Sequence, residues 1–281
     1  MPAEGRFNTV VIIDSVRGDE MQTGRALYDD LRDIANQCSP VPAVRFARAG
    51  STAELSAAIG QQESHAASGG SYPMLHIEAH GNESGIELAN GELVGWDQMR
   101  EFLVPLNIAT RLNLIVTVAA CQGGNIGKSI RLTDRAPVWG LIGPARDLSA
   151  GRLRQDFGSF YQTLIREQSP KAAIDALHAG ESSGAYFQAT AEGLFYKGWR
   201  SYQLSYCTAG QLDRRARKMH KDAKNRGINP VPHVGHLRRT LVQQDPVAFD
   251  KYRDRYFMCD LFPEHRMRFD VTYEKAKAFR G

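Results

Sequence analysis

Cysteine is scarce in this chain of 281 residues. The four thiols, Cys38, Cys121, Cys207 and Cys259, are scattered and none sits in a Cys-x-x-Cys pair. That argues against a disulfide framework and for a reducing compartment. No apolar run approaches the roughly 20 residues that span a bilayer. Residues Met1 to Asn8 lack a hydrophobic signal region, so a soluble, cytoplasmic protein with no membrane association is expected. Internal repeats and low-complexity tracts are absent too, which sets aside solenoids and disordered linkers.

What is present suits a globular fold. With 42% hydrophobic residues the chain can bury a full core. The net charge of +4 conceals an asymmetry. Residues 211–281 hold 17 Lys/Arg against 9 Asp/Glu, which leaves 18 against 22 in residues 1–210. Two domains are therefore expected, 1–210 and a basic, mainly helical extension, 211–281. Such a tail reads first as a solvated helical surface; beyond that it could attract nucleic acid, an acidic protein, an activating or regulatory partner, or the acidic face of its own N-terminal domain, although no aromatic-interleaved nucleic-acid motif accompanies it.

The order of apolar patterns points to an α/β fold. Thr9 to Ile13 is a continuous apolar run, the signature of a strand buried on both faces. Gly24 to Asn36 places Ala26, Leu27, Leu31, Ile34 and Ala35 at helical spacing. Ala43 to Ala47 reads as a strand, and Ser51 or Thr52, with Glu54 as a capping box, opens the next helix. Met74 to Ile77 leads to His80, and Asn90-Gly91 marks a turn. Asp97 to Leu106 is a short helix, Leu112 to Val118 a strand, and Val138 to Ile142 another. Phe157 to Glu167 and the stretch opened by Ser169-Pro170 are helices. Trp199 to Cys207 reads as a last strand, Phe187 to Gly193 fits either state, and Arg214 to Asn225 and Val247 to Phe257 read as helices. Strands alternating with helices predict a mostly parallel sheet with helices on both faces.

Two strand ends carry reactive side chains. One apolar run ends at His80-Gly81, the other at Ala119-Ala120-Cys121-Gln122-Gly123. In open α/β sheets, ligand sites form at the carboxyl ends of strands. A cysteine attacks as thiolate and needs a histidine close by, together with backbone donors for the oxyanion. Cys121 is thus the candidate nucleophile, His80 the general acid and base, and the N–H groups of Gly81 and Cys121 the oxyanion hole. Singly, a strand-end cysteine is usually an inert core residue and a His-Gly pair a turn. Their conjunction carries the reading.

The pentad 119–123 matches four of the five positions of the caspase signature Gln-Ala-Cys-[Arg/Gln/Gly]-Gly. Val138 to Gly143, Asp147, Phe160-Tyr161, Ser169-Pro170 and Ala173 also resemble the bacterial CHAT branch, relatives of separase. The chain therefore resembles a caspase-like cysteine peptidase over roughly residues 8–180. The resemblance implies a caspase–hemoglobinase fold, no metal or organic cofactor, and cleavage of protein substrates after a selected P1 residue. It also suggests a prokaryotic stress or antiphage defence pathway. Ala119 stands where caspases carry the glutamine that helps bind aspartate. Arg17, after the first strand, would favour an acidic P1, and Asp147 a basic one. Trp199-Arg200 weakly echoes a groove-lining pair.

Other chemistries compete. Gly123 to Ser129 resembles a phosphate-binding P-loop, one residue short between its glycine and Gly-Lys-Ser. A catalytically inactive scaffold is the third reading. For zinc, His76, Glu78 and His80 alternate along one strand and would share a face, and His233 and His236 could join Cys207 or Cys259. Neither spacing matches a common zinc pattern.

Overall fold

A computed structural model describes residues 6–179 and 182–279. Its central feature is a six-stranded sheet built by parallel crossovers. Strand β1 (Thr9–Asp14) leads through α1 (Thr23–Ala35) to β2 (Ala43–Arg48), then through α2 (Thr52–Ala67) to β3 (Pro73–Glu78). A small antiparallel sheet follows, β4 (His80–Gly81), β5 (Gly85–Glu87) and β6 (Leu93–Gly95), and then α3 (Trp96–Ala109). The main sheet resumes with β7 (Ile115–Ala119), a 3-10 segment (Gly123–Ser129) and β8 (Gly140–Pro144). After α4 (Ala150–Glu167) and α5 (Pro170–Leu177), β9 (Tyr186–Thr190) ends it. The strand order is β2-β1-β3-β7-β8-β9, parallel except for β9 against β8.

Burial explains the composition of the strands. Every residue of β1 and β3 is buried, so both sheet faces are covered; only His76 and Glu78 break the apolar run of β3. Val10, Ile12, Met74 and Ala119 join Leu27 and Leu31 of α1 and Phe157, Phe160, Tyr161 and Leu164 of α4 in one apolar cluster. Val11, Ile13, Leu75 and Val118, of the alternate parity, are buried outside it. Local signals set the helix starts. Ser51 accepts from the Glu54 N–H at 3.3 Å, though Glu54 itself turns to the Gly50 N–H. Ser169 caps α5 with Pro170 in its first turn. Gly91, at φ +88°, makes the expected turn between β5 and β6.

The chain divides into two compact units with a break at 191/192. Residues 131–135 and 192–279 form the second unit, whose regular elements are helices: α6 (Ala191–Tyr206, from its second residue), α7 (Ala209–Asn225), α8 (Val234–Gln243), α9 (Asp245–Tyr256), α10 (His265–Arg268) and α11 (Tyr273–Ala278). Trp199 to Cys207 is therefore not a strand. Phe195, Trp199, Tyr202 and Tyr206 recur every three or four residues and form a helical stripe. Phe195 and Trp199 pack edge-to-face on Phe249 at ring distances of 5.4 and 5.0 Å, which ties α6 to the helices beyond it. Among the described residues no helix is long and apolar enough to cross a membrane.

Candidate active site

The site stands at the carboxyl edge of the main sheet. Strands β3 and β7 pair in register, Glu78 against Ala119, so the residues just beyond them emerge side by side. Gly81 then lies on the Cys121 main chain. A Cβ placed on Gly81 would come within 2.4 Å of the Cys121 carbonyl oxygen and 2.9 Å of the Ala120 Cβ. Only glycine permits that approach. The chain segments that carry His80 and Cys121, far apart in sequence, are brought together by it.

Each reactive group has its own surroundings. The His80 side chain is 57% exposed, and its Nε2 lies 2.9 Å from Glu20 Oε1. Cys121 is partly buried and its Sγ donates to the Leu148 carbonyl at 3.5 Å. Among the described residues no hydrogen bond joins the two, and no acceptor takes the Cys121 N–H. Gln122 follows in the left-handed region at φ 58°, a conformation that costs about 1 kcal/mol for a non-glycine residue. Such backbone strain recurs at catalytic turns. The turn is packed tightly: a Cβ on Gly143 would lie 2.7 Å from Gly124 N.

The expected specificity residues differ in availability. Arg17 pairs with Glu87, across the small sheet from His80. Asp147 is exposed and accepts from Gln122 Nε2 at 3.3 Å, directly beside the nucleophile. Ala119 is 3% exposed and belongs to the apolar cluster, so it presents no polar group.

Beneath the edge lies a buried polar network that sequence patterns do not reveal. Asp14 and Glu78 are register partners on β1 and β3, both nearly inaccessible. Thr23 donates to Glu78, His76 Nε2 lies 3.4 Å from Glu78 Oε2, and His76 Nδ1 meets Thr117 at 2.9 Å. Burial pushes the Asp14 carboxyl up, against the pull of the Val16 N–H and the Arg48 guanidinium. His76 and Glu78 share a buried face as the alternation suggested, but His80 does not join them. Strand β3 ends at Glu78, the chain turns through Ala79, and His80 stands exposed on β4.

The other candidates resolve differently. Gly123 to Ser129 is a 3-10 segment, and Gly124 and Gly127 press against Phe187 instead of lining an open cradle. Among the described residues no group of three or more His, Cys, Asp or Glu could hold a metal. His233 caps α8 by accepting from the Gly235 N–H, and burial pushes the Cys259 thiol up to about 11. Glu20 and the Leu148 carbonyl had no sequence signature, because their contacts with the site cross long stretches of chain. No protein-family model matches this chain, and no curated protein matches it significantly.

Proposed function

We propose that this chain is a cysteine endopeptidase of the caspase–hemoglobinase type, with Cys121 as nucleophile and His80 as general acid and base. One observation supports the reading: Gly81 packs on the Cys121 main chain, so the segments bearing a histidine and a thiol run side by side just beyond neighbouring parallel strands. The Cys121 N–H, which meets no acceptor among the described residues, and the strained Gln122 turn support it. The Cys121 thiol gives its proton to His80, and the thiolate attacks the scissile carbonyl carbon. As the S–C bond forms, the carbonyl electron pair moves onto oxygen and is held by the N–H groups of Gly81 and Cys121. Collapse breaks the C–N bond, and the amine leaves with the proton from His80. Water, deprotonated by His80, then releases the carboxylic product and restores the thiol.

A basic P1 side chain is the favoured substrate. Arg17 spends its charge on Glu87, whereas Asp147 stays exposed with only an amide partner beside Cys121. Four free thiols suit a reducing cytoplasm. The basic second unit would recruit the protein substrate or an activating partner, and the resemblance suggests a prokaryotic stress or antiphage defence setting.

A diverse peptide library tests this. The wild type should cut after Lys or Arg, Cys121→Ala should not cut, and Asp147→Ala should lose the P1 preference. Equal cleavage by wild type and Cys121→Ala would refute the nucleophile. So would a folded wild type that neither cuts nor reacts with a thiol-directed peptide probe.

A further inference from the structure

We propose that Glu20 is a positioning residue that completes the site: its carboxylate fixes the His80 ring, leaves Nδ1 to serve the thiol, and stabilises the imidazolium once it forms. The argument starts from the turn after β1. The Glu20 N–H donates to the Arg17 carbonyl at 3.2 Å. Gln22 Nε2 donates to the Arg17 and Glu20 carbonyls at 2.7 and 3.0 Å. Main chain and amide together pin the turn. The Glu20 carboxylate is then held at both oxygens, Oε2 by the Arg17 N–H at 3.1 Å and Oε1 by His80 Nε2 at 2.9 Å.

The turn grips the His80 hairpin twice. Its first residue, Arg17, pairs with Glu87, and Glu87 is the register partner of His80 across β4 and β5. Its last residue, Glu20, meets His80 itself. A ring as exposed as that of His80 would otherwise sample several rotamers; a carboxylate anchored from its own main chain removes that freedom.

The chemistry follows from the acceptor. The hydrogen bond from His80 holds the Glu20 carboxyl below the ordinary carboxylate range, so Glu20 is ionised near neutrality and can only accept. His80 Nε2 must then carry the hydrogen, and in the neutral ring the lone pair sits on Nδ1. When Nδ1 takes the Cys121 proton, the Nε2–H bond to Glu20 becomes a charge-assisted one. Among the other charges of the turn and hairpin, Arg17 and Glu87 offset each other, Asp19 and Glu83 are exposed carboxylates, and Glu92 is exposed and accepts from the Thr52 N–H. For catalysis the proposal rests on the peptidase reading, whereas the coupling of Glu20 to the thiol through His80 can be measured without any substrate.

The experiment follows alkylation of Cys121 by iodoacetamide from pH 5 to 9 in the full chain, resolved by peptide mass mapping, beside peptide cleavage. Glu20→Ala should slow alkylation at pH 6 by about threefold to tenfold and converge on wild type near pH 9, where a thiol ionises unaided. Glu20→Gln keeps the shape and an acceptor oxygen but loses the charge, and should show a smaller shift; Glu20→Asp should restore part of the profile. In cleavage, kcat should fall while KM stays within about twofold, since Glu20 acts on the ring and not on substrate. Circular dichroism checks that each variant folds, and Glu20→Gln serves if Glu20→Ala does not. Alkylation profiles identical in wild type and both charge-removing variants would overturn the proposal, even if wild type cleaves peptides. Shifted profiles from a wild type that cuts nothing would uphold Glu20 and sink the peptidase reading.

Discussion

The two units solve the burial problem with different materials. In the sheet unit, aliphatic strand side chains of alternate parity fill both sheet faces, with Phe157, Phe160 and Tyr161 of α4 packed on one of them, and polar chemistry collects at the carboxyl edge. In the helical unit, aromatic rings centred on Phe195, Trp199, Phe249 and Tyr256 form the core, and basic residues cover much of α7. The difference teaches where reactivity can arise. Crossovers converge on one strand edge and leave backbone donors and side chains facing solvent there. Helices that pack through rings satisfy their own backbone, and they enclose a thiol such as Cys259 without exposing it.

Thiol chemistry sharpens this contrast most. Cys259 is 3% exposed, with its thiol pushed up to about 11 by burial. At pH 7.5 its thiolate fraction is below about one in a thousand. Iodoacetamide followed by peptide mapping should therefore label Cys121 of the sheet unit long before Cys259 of the helical unit, by more than about a hundredfold in rate. Labelling of Cys259 first would break the comparison.

Core truncation comes next. Trp199→Ala should cost about 3–5 kcal/mol in denaturant unfolding, since it empties the centre of the ring cluster. Cys121 alkylation in the folded fraction should stay unchanged, because every contact described for Cys121 lies in the sheet unit. A large change in both would mean that the units are energetically coupled.

The smallest effect concerns Asp14. Its carboxyl is raised from 3.8 in the folded state, so the native chain binds that proton more tightly than the unfolded chain does. Stability is therefore lost as pH rises from about 4 through the folded value, and the penalty persists above it. Asp14→Asn keeps an acceptor for the Val16 N–H and removes the buried charge. Relative to wild type it should gain stability as pH rises from 3 to 7, as read from thermal midpoints across pH. Stabilisation that does not depend on pH would exclude the ionisation as its source.

Local patterns made much of the sheet unit legible. The buried run of β1, the Leu27/Leu31 stripe of α1, the Ser169-Pro170 helix start and the Asn90-Gly91 turn all follow from neighbours in sequence. Beyond residue 180 the helices at 214–225 and 247–257 were legible, but the pattern at Trp199 to Cys207 misled. Aromatic residues with high strand propensity sit in α6, where tertiary packing against Phe249 outweighs propensity. β9 was ambiguous because an antiparallel edge strand needs a partner to be recognised.

By itself, the sequence determined the alternation of strands and helices, the caps, the turns, and the two strand ends bearing His80 and Cys121. These depend on interactions within a few residues. Tertiary structure alone decided that Gly81 rests on Cys121, that Arg17 is taken by Glu87, that Asp14 faces Glu78, and that Glu20 reaches His80. Each of those contacts joins residues 40 or more positions apart, and strand order and register, not local propensity, set which side chains meet.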